Sequence, residues 1–195
     1  MKKLFYLLTL LTFSMACQTT FTNPNLTLTS ESEYYSAVKS STERKQVYDG
    51  LQVSFEFYAT LLNTNVTRLQ VDQHARIYQW TELQYSAEKS KRETELSNST
   101  IVFFSFFVPD KKLDDLHKTK TSWKIFLDHA GKRYEGKAER IKILPAEIAA
   151  LYPHFNRWST PYKITFPLAT SLTEAASAKL TITGPAGSTS VEFKN

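Results

Sequence analysis

Apolar residues fall at every second position across 51–61, where Leu51, Val53, Phe55, Phe57, Ala59 and Leu61 alternate with Gln52, Ser54, Glu56 and Thr60. That period of two predicts a half-buried strand, beginning upstream near Val47. Asn63-Thr64-Asn65 then interrupts the pattern with residues whose short polar side chains cap helices. Over 66–96 the period lengthens: Val66, Leu69, Ile77, Trp80, Leu83 and Ala87 follow helical spacing, with a polar gap at Gln73. The run has no glycine or proline, and Glu88/Arg92 and Lys91/Glu95 stand four apart as exposed helix pairs do. It predicts one long helix, or two divided near 79–81 with Thr81 capping the second. A shorter helix is expected over 31–43, where the apolar spacing is less regular.

The second half of the chain returns to strands. Residues 100–108 (TIVFFSFFV) are apolar on both faces and predict a central strand covered on both sides, with the helical segment as one cover. Trp123, Ile125 and Leu127 alternate with Lys124, Phe126 and Asp128, His129-Ala130-Gly131-Lys132 reads as a hairpin turn, and 133–144 as the returning strand. A helical turn is expected at 145–152, strands at 162–168, 178–183 and 189–193, and a hairpin at Gly184-Pro185-Ala186-Gly187. About seven strands at short spacing predict an α+β protein, mainly an antiparallel β-sandwich of immunoglobulin-like character, with a helical insertion after the first long strand. A single curved sheet packed against the helices is the alternative architecture.

The N-terminus adds a different kind of information. Lys2 and Lys3 precede the apolar stretch 4–13 (LFYLLTLLTF), and the small residues Ser14 and Ala16 follow. This is the layout of a secretory signal, and it is too short to be a permanent transmembrane helix. Cys17, the single cysteine of the chain, comes directly after it. A cysteine in that place resembles the lipobox of bacterial lipoproteins, although Ser14 stands where the family usually has an aliphatic residue. The resemblance implies cleavage after Ala16, lipidation of Cys17, and, with Gln18 at the next position, delivery to the outer membrane. Ser14-Met15-Ala16 also fits ordinary signal cleavage, which would leave a soluble exported protein with a free thiol. Residues 1–16 are accordingly expected to be signal, 17–30 a Thr- and Asn-rich lipidated tether, and 31–195 one globular domain. The strand pattern is similar to that of bacterial lipoproteins with small sandwich domains.

Composition narrows the function by exclusion. Removing 1–16 lowers the formal charge from +5 to +3, which weakens a nucleic-acid partner as an explanation of the basic balance, and none is expected. The region 111–142 carries ten Lys/Arg against five Asp/Glu, suited either to an anionic partner or to the solvated face of two hairpin strands. The five glycines form no phosphate-cradling loop, no zinc-binding His or Cys spacing occurs, and no cofactor or metal is expected. Asp72/His74 and Asp115/His117 put a carboxylate near an imidazole but read as solvated polar positions, and Asp128-His129 as turn chemistry. Ser36-Ala37-Val38-Lys39 has the spacing of a serine–lysine nucleophile without the companion motifs of those enzymes.

The densest unusual segment is 152–162 (YPHFNRWSTPY), an aromatic loop that could plug the sandwich or form a recognition surface; His154, Arg157 and Trp158 are its candidate binding residues. The expected role is a non-enzymatic, lipid-anchored module of the cell envelope, held to the membrane through Cys17 and binding an envelope protein or lipid, or supporting assembly. Two other classes compete with it. One is a carrier of an apolar ligand between helices and sheet, motivated by Phe103, Phe104, Phe106 and Phe107; the other is an enzyme whose histidines and carboxylates converge from distant parts of the chain.

Overall fold

The computed structural model describes residues 26–193; the expected signal, Cys17 and most of the tether lie outside the described residues. The chain opens with helix α1 (Glu31–Ser40) and continues through strands β1 (Thr42–Asp49) and β2 (Gln52–Leu61), helices α2 (Thr64–Tyr78) and α3 (Glu82–Asn98), and strand β3 (Thr100–Phe107). A short 3-10 turn (Lys111–Leu113) leads to β4 (Lys124–His129), β5 (Lys132–Glu135) and β6 (Lys137–Arg140). Helix α4 (Pro145–Leu151), β7 (Thr160–Phe166), helix α5 (Thr170–Ala175), β8 (Ala178–Gly184) and β9 (Gly187–Phe193) complete it. The strands form two antiparallel sheets, in the orders β1-β2-β3-β7-β6 and β5-β4-β8-β9.

The two sheets bury one shared core. Phe55, Phe57, Ala59 and Leu61 of β2, Val102, Phe104 and Phe106 of β3, and Tyr162, Ile164 and Phe166 of β7 meet Ile125, Leu127, Leu180, Ile182, Val191 and Phe193 of the second sheet. Trp123 fills its centre, edge-on to Phe55 and Phe106 at 5.1 and 5.2 Å between ring centroids. Because successive strand residues point to opposite faces, Ile101 and Phe103 face the other way. There they join a second core with Tyr34 and Val38 of α1, Val66 and Leu69 of α2, and Ile148, Leu151 and Tyr152 around α4. Strand β3 is therefore buried on both faces, as its apolar run predicts, and helices, sheet and sheet make three layers.

The helical segment divides where expected. Asn63 caps α2, its side chain accepting from Val66 N at 2.8 Å. Gln79 ends that helix in the left-handed conformation (φ 51°), and Thr81 forms a capping box with Gln84 at the start of α3. The faces differ from the expectation. Gln73 is buried, bonding Tyr35 Oη at 3.2 Å, whereas Leu83 is 81% exposed and α3 has no buried residue. Helix α3 carries ion pairs instead: Arg92 joins Glu88 at 2.8 Å and Glu95 at 3.2 Å within the helix, and Glu95 also meets Lys163 of β7 rather than the expected Lys91.

Two strand assignments need correction. The chain turns at Gly50-Leu51, so 47–61 is a hairpin; Leu51 lies in the turn, 101% exposed, and Asp49 pairs with Gln52. Gly50 sits at φ 59°, the conformation that the first position of a two-residue hairpin requires and a side chain resists. The expected strand 133–144 breaks at Gly136 into β5 and β6, which belong to different sheets. With β1 also separate, the strands number nine among the described residues rather than about seven. The last residues of the expected tether are also fixed: Thr29 donates from its backbone N to buried Asp72 at 3.1 Å, and Ser30 caps α1.

Gly136 gives a direct test of the sheet crossing. A Cβ there would lie 2.6 Å from Phe166 Cε1 and 2.7 Å from Ile164 Cγ2, both in the core. Gly136→Ala should destabilise the protein by about 1–3 kcal/mol in chemical denaturation. An unchanged midpoint would mean that the chain crosses between sheets elsewhere.

Candidate functional site

The outer face of the β1–β2 hairpin carries the side chains opposite to the sandwich core, among them Thr42, Arg44, Tyr58 and Thr60. Helix α1 stands at one side of this face. Tyr35 and Lys39 are one helical turn apart and share its open side, while Tyr34, Ala37 and Val38 pack inward. The loop after α4 brings Pro153 and His154 to the other side. Together they enclose a groove of about 450 Å³ lined by Tyr35, Val38, Lys39, Thr42, Arg44, Tyr58, Pro153 and His154. Its volume is within the ~300–1,000 Å³ range of small-molecule sites.

His154 is its most constrained polar group. The ring stacks on Tyr58 at 5.2 Å and meets Phe103 and Tyr152 edge-on at 5.9 and 6.0 Å. Its Nε2 lies 3.3 Å from Thr60 Oγ1, which is 2.7 Å from Thr42 Oγ1, and Thr42 in turn donates to the Val38 carbonyl at 2.6 Å. The direction of this chain follows from proton counting. Thr42 spends its only hydroxyl proton on a carbonyl, so it accepts from Thr60, and Thr60 must accept from His154 Nε2–H. The imidazole is thereby held with Nε2 protonated and Nδ1 as a bare acceptor. Burial lowers its pKa from 6.5 to about 4, which keeps it neutral near pH 7.

Two cations border the groove. Arg44 Nε donates to Glu56 Oε1 at 2.6 Å, and its guanidinium lies 5.3 Å from the Tyr58 ring centroid. The second Glu56 oxygen accepts from Gln46 at 2.9 Å, so the carboxylate is committed. Lys39 is exposed and makes no ion pair with the described residues. What results is an aromatic floor with one neutral acceptor and a net positive rim.

The three candidate residues from the sequence do not come together. His154 lines the groove, whereas Arg157 and Trp158 stack on each other at 4.8 Å and Trp158 is 66% exposed. Asn156 Oδ1 turns the chain there, accepting from Trp158 N at 2.9 Å, and Lys111 Nζ donates to the Trp158 carbonyl at 3.3 Å. Tyr152 and Tyr162 at the ends of the aromatic loop are buried in the two cores, and Trp158 at its tip is exposed.

Other sequence candidates resolve differently. Asp72 is buried rather than solvated, accepting from Thr29 and from Tyr85 Oη at 2.7 Å. Asp115 is also buried and accepts from Thr121 Oγ1 at 2.8 Å. His117 is exposed, with Nδ1 3.5 Å from Tyr162 Oη, while that hydroxyl donates to Asp114 at 2.9 Å. Asp128 pairs with Arg133, which holds its carboxyl below the usual range, and His129 Nδ1 is buried without a partner among the described residues. Ser36 lies outside the groove lining that Lys39 joins. Tyr35, Lys39, Arg44 and Tyr58 were not anticipated; the alternation that puts Tyr58 opposite the core was the one signal for them.

Compared with protein-family models, curated proteins and solved structures, the chain gives no significant match.

Acid should weaken the fold through two histidines. His74, on α2 beside Trp80, is also lowered to about 4, by burial and then by Arg92. Between about pH 6.5 and 4 the unfolded chain binds protons that the folded one refuses, so stability falls as pH falls through that window. The expected slope is about 1.4 kcal/mol per pH unit for each histidine, read by urea denaturation. His74→Gln and His154→Gln should each flatten it, and an NMR titration of either ring near pH 6.5 would contradict the assignment.

Proposed function

We propose that this chain is a lipid-anchored protein of the bacterial envelope, held in the outer membrane through Cys17 with its domain facing the periplasm. Its role is non-enzymatic binding of another envelope component, or support of that component's assembly. The frame is a sandwich of immunoglobulin-like character, and α2 and α3 are its helical insertion. The observation that carries the binding role is the groove itself, where separate elements converge on an aromatic floor and a histidine kept neutral.

The competing classes have less support. The cavities lined by His74 and by His154 have no carboxylate in their lining among the described residues, which weighs against acid–base chemistry there. An apolar cavity does occur between sheet and helices, lined by Leu62, Ile101, Phe103, Ile148 and Leu151 among others. It measures about 180 Å³, below the usual ligand range, and Phe104 and Phe106 pack into the sandwich core instead of lining it. In the basic region Lys124, Arg133 and Lys137 each pair with a nearby acid, which favours a solvated strand face over an anionic partner.

Mass spectrometry of protein purified from its native membranes tests both halves of the proposal. Under denaturing conditions the mass should exceed that of the 17–195 polypeptide, and Cys17→Ala should lose both the excess and membrane partition. Under native conditions a non-covalent adduct should be retained by the parent protein and lost in Tyr58→Ala. An unmodified soluble polypeptide would overturn the anchor, and an adduct unaffected by Tyr58→Ala would overturn the groove.

A further inference from the structure

The proton order in the His154–Thr60–Thr42 chain constrains what the groove can hold. With Nε2 committed to Thr60, His154 offers only the Nδ1 lone pair. A ligand that covers Nδ1 without donating to it strands an acceptor, which is unfavourable. The ligand therefore needs a hydroxyl or N–H group. An anionic group on it is favoured, because among the described residues Lys39 makes no ion pair and Arg44 gives only its Nε–H to Glu56, leaving its Nη groups without partners. Finally, Tyr35 and Pro153 present apolar surface, whereas the Tyr58 ring is already stacked by His154 and overlaid by Arg44. The Tyr35 hydroxyl adds no further polarity, since it donates to the Ala150 carbonyl at 3.1 Å and accepts from Gln73.

We propose that the groove binds an acidic sugar unit, with its apolar ring face on Tyr35 and Pro153, a hydroxyl donating to His154 Nδ1, and its carboxylate or phosphate at Lys39 and Arg44. This rests on the groove being the binding site. An aliphatic acid satisfies the cations but offers Nδ1 no donor, and a chain would lie half in water in so open a groove. An aromatic acid fits the rings and cations with the same failure at Nδ1. A neutral sugar lacks a partner for Lys39.

Five probes separate these possibilities: D-glucuronate, D-glucose 6-phosphate, D-glucose, benzoate and octanoate, each titrated into the full mature chain in detergent while the His154 nitrogens and the Tyr58 ring are followed by NMR. One or both acidic sugars should shift these signals, including Nδ1, with glucose weaker by about tenfold or more. Whether the carboxylate or the phosphate sugar binds more tightly identifies the anion. Lys39→Gln should weaken the acidic sugars by about tenfold without altering the thermal midpoint, and Trp158→Ala should leave them unchanged. Benzoate or octanoate binding more tightly than both acidic sugars would overturn the ligand class while leaving the groove as the site. Silence from all five probes would also overturn it, and the groove is then judged independently by the native-mass comparison with Tyr58→Ala.

Discussion

The outward face of β3 is the constraint on which the functional surface depends. A strand that is apolar on both sides cannot leave either side wet, and burying one phenylalanine contributes about 1.5–3 kcal/mol. Phe103 meets this requirement by stacking on Tyr152, with ring planes 2° apart and centroids at 3.5 Å. The remaining helical layer is tied to the same pair. Tyr152 Oη accepts from Gln70 of α2 at 2.7 Å, and Tyr34 of α1 donates to the Leu151 carbonyl at 2.7 Å. Burial drives the Tyr152 pKa up to about 12, so this hydroxyl stays neutral and the network holds across the physiological range.

The groove is a consequence of that docking. Tyr152 fixes where the following residues Pro153 and His154 run, and Tyr34 fixes the rotation of α1 that turns Tyr35 and Lys39 toward β1 and β2. Neither wall belongs to the sandwich. The sandwich supplies only the floor, through the alternation that sends Phe57 inward and Tyr58 outward. The chemistry of the site is therefore set by packing: the same layer that closes over β3 desolvates His154 and keeps it uncharged.

Much of the frame was legible in the sequence because its signals are periodic. The division of the helical segment at Gln79, the Thr81 cap, the doubly buried β3 and the two later hairpins all follow from local spacing and turn residues. The missed features are those that depend on a partner far along the chain. Asp49-Gly50 was a readable hairpin signal that the long alternation obscured, since Val47 and Leu51 fall on the same period on either side of it. Gln73 and Asp72 looked like a solvated stripe because their partners, Tyr35, Thr29 and Tyr85, come from other elements. The break at Gly136 needs the Phe166 ring to explain it. Of the site, only His154 was anticipated; grouping it with Arg157 and Trp158 relied on proximity in sequence, whereas the Asn156 turn sends the tip away from the groove.

Native-state hydrogen exchange, comparing the parent protein with Phe103→Leu, tests the dependence of the groove on β3 most directly. The substitution keeps an apolar residue and removes the stacked ring. Amides of α1, α2 and residues 152–155 should lose protection together, while those of β4, β8 and β9 retain theirs. If the helical layer instead keeps its protection, or loses no more than the second sheet does, the Phe103–Tyr152 contact is not what builds the site.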